Sequence, residues 1–149
     1  METVDTTLPK LLVEKAGRYK DRVAMREKYK GIWQEISWNE YLDNVCRLAL
    51  GFRELGIQRG DRGAILGENC PEWLYSDLAF MSLGCISVGI YPSNSSEQVH
   101  YIVDHSQSTF VVVKDQEQAD KVLAEKRKLP LLKKIIVIDM KGLRHYDDP

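Results

Sequence analysis

The spacing of apolar positions changes several times along the chain, and each change marks an element. Over residues 37–55, Trp38, Tyr41, Leu42, Val45, Leu48, Ala49, Phe52 and Leu55 recur three or four apart, the spacing of one helix face. Ser37 and Glu40 make a capping-box pair ahead of this helix, and Gly56 is placed to end it. An earlier helix opens at Thr7-Leu8-Pro9, with Leu8, Leu11, Leu12 and Ala16 as its stripe. Between the two, residues 22–28 and 31–36 predict a small hairpin turning at Lys30-Gly31, with strand character from Val23, Met25, Ile32 and Trp33.

After Gly60-Asp61 the pattern shifts to short apolar runs. A strand around residues 64–66 precedes Pro71, which begins a helix, EWLYSDLAFMSLG, apolar nearly all round and expected to lie buried between layers. CISVGIY, TFVVV and KKIIVID are strand-like runs, separated by helices predicted to about residue 106 and over 116–129. Continuous apolar strands alternating with helices predict a parallel sheet covered on both faces. The predicted fold class is therefore α/β: three layers, a mostly parallel sheet with helices on both faces, and a small hairpin near the N-terminus.

Composition narrows the class of function. At 149 residues, 44% hydrophobic and 29% charged, the chain suits one soluble domain with a real core. A net charge of -1 without a basic face argues against a nucleic-acid partner. The opening METVDTTLPKLLVEKAG has no basic front or long apolar stretch, and no window reaches the roughly 18 to 20 apolar residues of a spanning helix. A cytoplasmic protein is expected. Cys46, Cys70 and Cys85 form no CxxC pair and no zinc-like spacing with histidine. Their apolar neighbours predict reduced, buried, structural thiols.

The segment IYPSNSSEQVHYI, residues 90–102, is the first candidate for chemistry, because hydroxyl-rich loops between a strand and a helix often hold phosphate. A phosphate cradle needs several inward amides, usually supplied through glycines, and often a lysine. This loop has no glycine between Tyr91 and Val99 and no lysine before Lys114. It does have Ser95 three residues before Gln98, and Asn94 three before Glu97, either of which predicts a helix cap. His100 and His105, five apart, point about 140° away from each other on a helix and cannot share a metal. His145 with Asp147 and Asp148 is a weak cluster at the end of the chain. Asp115 and Asp139 follow apolar runs as in a phosphoacceptor site, but an early strand ending in paired carboxylates is missing; for these and Asp104, turn and cap roles are expected. The basic run EKRKLPLLKK, residues 125–134, fits a solvated helix end or a peripheral membrane contact. No Ser-His-Asp order, nucleophile elbow, GxGxxG or P-loop is present. No catalytic, cofactor-binding or metal-binding residue is assigned.

Three stretches, in order and at family spacing, resemble the AMP-forming adenylating enzymes. ISWNEY (36–41) resembles their early core motif, ELGIQRGDRGAILGENCPEW (54–73) the segment that follows in acyl-CoA synthetases, and FMSLGCISVGIYPSNSSEQVHYIVDHSQSTFVVV (80–113) the second core motif and its continuation. The likeness extends through LPLLKKIIVID, and the hairpin and IYPSNSSEQ look most like the long-chain fatty acid–CoA ligases. Gly63 and Gly67 depart from the pattern, replacing a β-branched residue and a serine; both are expected to weaken a local strand. The resemblance implies a parent that uses ATP, Mg²⁺ and CoA, forming an acyl-adenylate with loss of pyrophosphate and then passing the acyl group to the CoA thiol. The family's phosphate-binding loop, metal-binding glutamate and C-terminal catalytic lysine lie downstream of everything here. Residues 1–149 are thus expected to be the N-terminal portion of an AMP-binding domain, truncated before the phosphate loop, inactive alone and serving as scaffold. Fatty acid, ATP and CoA would be partners of the parent, and a homo-oligomer is a further expectation. The alternative is a free-standing interaction or regulatory α/β domain without catalysis.

Overall fold

In a computed structural model, residues 6–144 and 146 are described, and the elements follow the sequence pattern closely. Helix α1 (Leu8–Tyr19) is capped by the Thr7 side chain, which accepts from the Lys10 amide. Strands β1 (Val23–Tyr29) and β2 (Ile32–Ser37) form an antiparallel hairpin. Its turn residues Lys30 and Gly31 have φ of 48° and 83°, the left-handed pair a two-residue hairpin loop requires. Helix α2 (Trp38–Glu54) opens with a full capping box: Ser37 Oγ accepts from the Glu40 amide at 3.2 Å, and the Ser37 amide donates to Glu40 Oε2 at 2.8 Å. Those bonds hold the Glu40 carboxyl below its usual range, the backbone bond contributing most.

Four parallel strands form the main sheet: β3 (Arg62–Leu66), β4 (Ile86–Ile90), β5 (Phe110–Val113) and β6 (Lys134–Val137), in the order β4-β3-β5-β6. Helices α4 (Ser96–His105) and α5 (Gln116–Glu125) cover one face, where Val99, Val103, Ala119 and Val122 pack on Ala64, Leu66, Val111 and Val113. Helices α2 and α3 (Pro71–Ser82) cover the other, burying Phe52, Ala79 and Phe80 against Ile65, Phe110 and Val112. A third cluster of Leu12, Val45, Tyr75 and Leu78 binds α1 to this outer layer. The three-layer reading holds. Helix α3 is buried along one side despite its polar residues, because Ser76 and Ser82 hydroxyls donate to the carbonyls of Glu72 and Leu78, each at 2.7 Å.

Several expectations change. The helix predicted over 116–129 stops at Glu125, and a 3₁₀ turn, Lys126–Lys128, carries the chain on toward Pro130. In α1, Leu12 and Ala16 are buried but Leu8 is exposed. Cys46 is exposed, Cys70 half-buried and only Cys85 buried; Val45 takes the inward position on α2, and the next residue is turned about 100° away. Gly63 is more than a weak strand residue. A Cβ there would lie 2.2 Å from the Phe80 ring, which stacks on Phe52 with centroids 4.5 Å apart. The glycine makes room for the ring.

Candidate functional site

In an open α/β sheet, ligands are held beyond the carboxyl ends of the strands, at the point where the strand order reverses. Here that place lies between β3 and β5. The chain leaving β3 runs through Gly67, Glu68, Asn69 and Cys70 into α3 on one face, and the chain leaving β5 runs through Lys114 and Asp115 into α5 on the other. The Lys114 amide donates to the Leu66 carbonyl at 3.1 Å. A Cβ on Gly67 would come within 2.8 Å of Lys114 Cβ, so the missing side chain lets the two exits lie close. Beyond them a cleft of about 660 Å³ opens toward the hairpin, lined by Asn69, Cys70, Trp73, Lys114, Trp33 and Lys28 among others.

The groups in this cleft suit binding better than bond-making. Arg26 is engaged by Glu35 at 2.8 Å, and Lys28 Nζ sits 6.0 Å from the centroid of Trp33. Burial pushes the Cys70 thiol up, so it stays protonated at neutral pH and is a poor nucleophile. Sequence reasoning missed this cleft, since it joins a hairpin, a loop and a strand end that are far apart along the chain.

The loop 91–95, the leading sequence candidate, is built as a cap. Ser95 Oγ accepts from the Gln98 amide at 3.4 Å, while Gln98 Oε1 accepts from the Ser95 amide at 3.0 Å, a complete capping box for α4. Of the two pairs offered by the sequence, Ser95 and Gln98 form the box; Glu97 instead accepts from the Ser95 hydroxyl at 2.8 Å, a bond that lowers its carboxyl. The Asn94 amide donates to the Tyr91 carbonyl at 3.1 Å, closing the turn. A lysine does reach the loop, from a place sequence reading had not considered. Lys121 on α5 donates to the Pro92 carbonyl at 2.6 Å and to Gln118 Oε1 at 3.2 Å, and pairs with Glu117 at 3.1 Å. Its charge is spent on fastening α5 to the loop.

The remaining candidates are separated. His105 is exposed and stacks on Tyr101, with centroids 5.4 Å apart, and His100 is half-buried on another side of α4. Asp115 caps α5, accepting from the Gln118 amide at 3.1 Å. Asp139 accepts from the Lys141 amide at 3.0 Å in a turn, which lowers its carboxyl. Asp104 is exposed on α4. His145, Asp147 and Asp148 lie outside the described residues. Among the described residues, no group of three or more His, Cys, Asp or Glu is gathered to hold a metal ion, and no helix is long and apolar enough to cross a membrane.

Comparison with known proteins fits this geometry into a larger frame. Over 131 residues the chain is 37% identical to the long-chain-fatty-acid–CoA ligase ACSBG2 of Xenopus laevis, a match covering 87% of this chain and 18% of that protein. It is 33% identical over 134 residues to the long-chain-fatty-acid–CoA ligase heimdall of Drosophila melanogaster, covering 87% and 20%. In fold it matches coronafacic acid ligase from Pectobacterium brasiliense with a TM-score of 0.83 at 24% identity, covering 94% of this chain and 27% of that one. The chain thus spans about a fifth of the length of the curated relatives it matches. The AMP-binding enzyme family matches residues 12–148, and with the parallel sheet and both core segments in place, the chain belongs to that family.

Proposed function

We propose that this chain forms the N-terminal portion of a cytoplasmic long-chain fatty acid–CoA ligase and serves there as scaffold. In the parent, ATP activates the fatty acid carboxylate and the CoA thiol accepts the acyl group; transferring phosphoryl oxygens must then meet aimed donors and cations. One observation carries the scaffold reading: the best phosphate-loop candidate has its Asn94, Ser95 and Gln98 amides, and the Lys121 ammonium that reaches it, committed to internal bonds. The carboxylates of Asp115 and Asp139 are likewise engaged as cap and turn. These residues do not fit a Mg²⁺–nucleotide site. The likeness to the two long-chain ligases supports the substrate class.

Two measurements test this reading. The purified chain is expected to release no pyrophosphate dependent on fatty acid and ATP; release above a blank of equal purity counts against the scaffold role. A chimaera in which it replaces the matched region of the Xenopus ligase is expected to ligate long-chain fatty acids. A folded but inert chimaera counts against the parentage. Peripheral membrane contact is proposed at exposed Arg127, Leu131, Lys133 and Lys134; it predicts binding to anionic but not neutral vesicles.

A further inference from the structure

The cleft beyond β3 and β5 gathers side chains that the fold itself leaves unused. Its walls come from the hairpin, the entry to α3 and Lys114; among the described residues, none comes from β6 or beyond. Trp33 and Leu74 are large apolar groups left exposed, and both line it. Trp73 is half-buried, and a Cβ on Gly89 would come within 3.3 Å of its ring. That glycine lets the indole lie against β4, which fixes one wall. At about 660 Å³ the cleft is of the size that holds small molecules.

Lys114 brings to this cleft a charge that no neighbour meets. Its amide donates to the Leu66 carbonyl at 3.1 Å and its carbonyl accepts from the Asp139 amide at 2.8 Å, so its backbone is held on both sides. The side chain is half-buried, and among the described residues its ammonium makes no hydrogen bond or ion pair. Its field reaches Cys70 and Asp139, but the Asp139 carboxylate is taken by the amide and ammonium of Lys141, at 3.0 and 3.2 Å. The other cations on these walls are occupied: Arg26 pairs with Glu35 and Lys28 lies over Trp33. Glu27, the acid on the walls, also borders the neighbouring cleft beside α2. A half-buried ammonium without a partner is costly until something answers it.

One unmet positive charge beside an indole-lined, apolar wall selects a monoanion with an apolar body. A phosphate is held by several converging amides as well as a lysine, whereas a carboxylate is answered by a single ammonium. We propose that this cleft holds a fatty acid, its carboxylate at the Lys114 ammonium and its chain along Trp33, Trp73 and Leu74. Only the choice of an aliphatic chain over other apolar bodies rests on the ligase reading. The site binds; no bond is made or broken there.

Decanoate is the probe, titrated into the 149-residue chain at neutral pH and followed by calorimetry and tryptophan fluorescence. Wild type is expected to bind it saturably, with a change in indole emission. Lys114→Gln keeps the Cβ and both backbone bonds. It is expected to weaken decanoate about tenfold or more, as loss of a charged hydrogen bond does, and to leave binding of the uncharged decanol unchanged. Trp33→Ala should weaken both. Cys70 lines the cleft and Cys46 lies on α2 outside it, so decanoate should slow thiol labelling of Cys70 and not of Cys46. Absence of saturable binding overturns the proposal. Binding indifferent to Lys114→Gln overturns it too, as does equal protection of Cys46 and Cys70, the mark of detergent-like adsorption. If Lys114→Gln fails to fold, the wild-type comparison of decanoate with decanol and the labelling of Cys70 decide. Neither ATP nor CoA enters the measurement, so its failure leaves the pyrophosphate and chimaera tests of the ligase reading standing, and their failure leaves this one standing.

Discussion

Ser95 shows how a residue suited to phosphate binding can instead be used to start a helix. Its hydroxyl and amide both serve the first turn of α4. Ser95→Ala is therefore expected to cost about 0.5 to 2 kcal/mol of stability, whereas Asn94→Ala, outside the box, should stay within about 0.5 kcal/mol. Thermal melts of both variants and wild type, with and without millimolar ATP and Mg²⁺, check this. Stabilisation of wild type by nucleotide that disappears in Ser95→Ala would defeat the capping account. Gly63 makes the opposite point, a residue valued for what it lacks. Because Phe80 is pinned by Phe52, it cannot retreat from a new Cβ at 2.2 Å. Gly63→Ala should destabilise by about 1 to 3 kcal/mol as overpacking does, and paired denaturation curves for Gly63→Ala and Gly51→Ala provide the contrast, since a Cβ at Gly51 meets nothing within 4 Å.

At the scale of elements, the layer of α1, α2 and α3 carries its own pH response. Tyr41 of α2 packs on Tyr75 of α3 with centroids 5.5 Å apart. Burial first, then the nearby Asp77 charge, pushes its phenol up from 10.0 to about 12. The folded state thus keeps the proton that the unfolded chain gives up near pH 10. Stability from this source is intact below pH 10 and is lost as pH climbs toward 12. Alkaline melts should show that loss, and Tyr41→Phe, which keeps the ring, should flatten it. The elements themselves were largely legible in sequence. Capping boxes at Ser37 and Ser95 depend only on partners three residues away, and the hairpin turn only on two adjacent residues. Less legible was whatever depends on distant partners: Lys121 reaching Pro92, Phe80 lying over Gly63, and the cleft between β3 and β5. The thiol of Cys46 was misread because apolar neighbours in sequence do not fix which side of a helix faces water.

Taken as a whole, the molecule offers its three thiols as reporters of opening. Cys46 is exposed, Cys70 half-buried, and Cys85 buried with its Sγ donating to the Gln58 carbonyl at 3.1 Å. Burial also raises the Cys85 thiol, which further suppresses its reactive form. A thiol reagent followed by peptide mass analysis should label Cys46 first and Cys70 more slowly. Cys85 should react at the rate of global unfolding, rising with denaturant. Equal labelling of Cys46 and Cys85 in native buffer would contradict the packing described. The strand order also bears on how the chain comes off a ribosome. Strand β3 pairs on one side with β4 and on the other with β5, which is made only after α4. Until Val113 has been synthesised, the sheet has a gap beside β3, and Val99 and Val103 lack Val111 and Val113, two of the side chains they finally pack among. The nascent chain must wait with Ala64, Ile65 and Leu66 uncovered on that flank, an interval in which a chaperone that holds apolar segments would find its work.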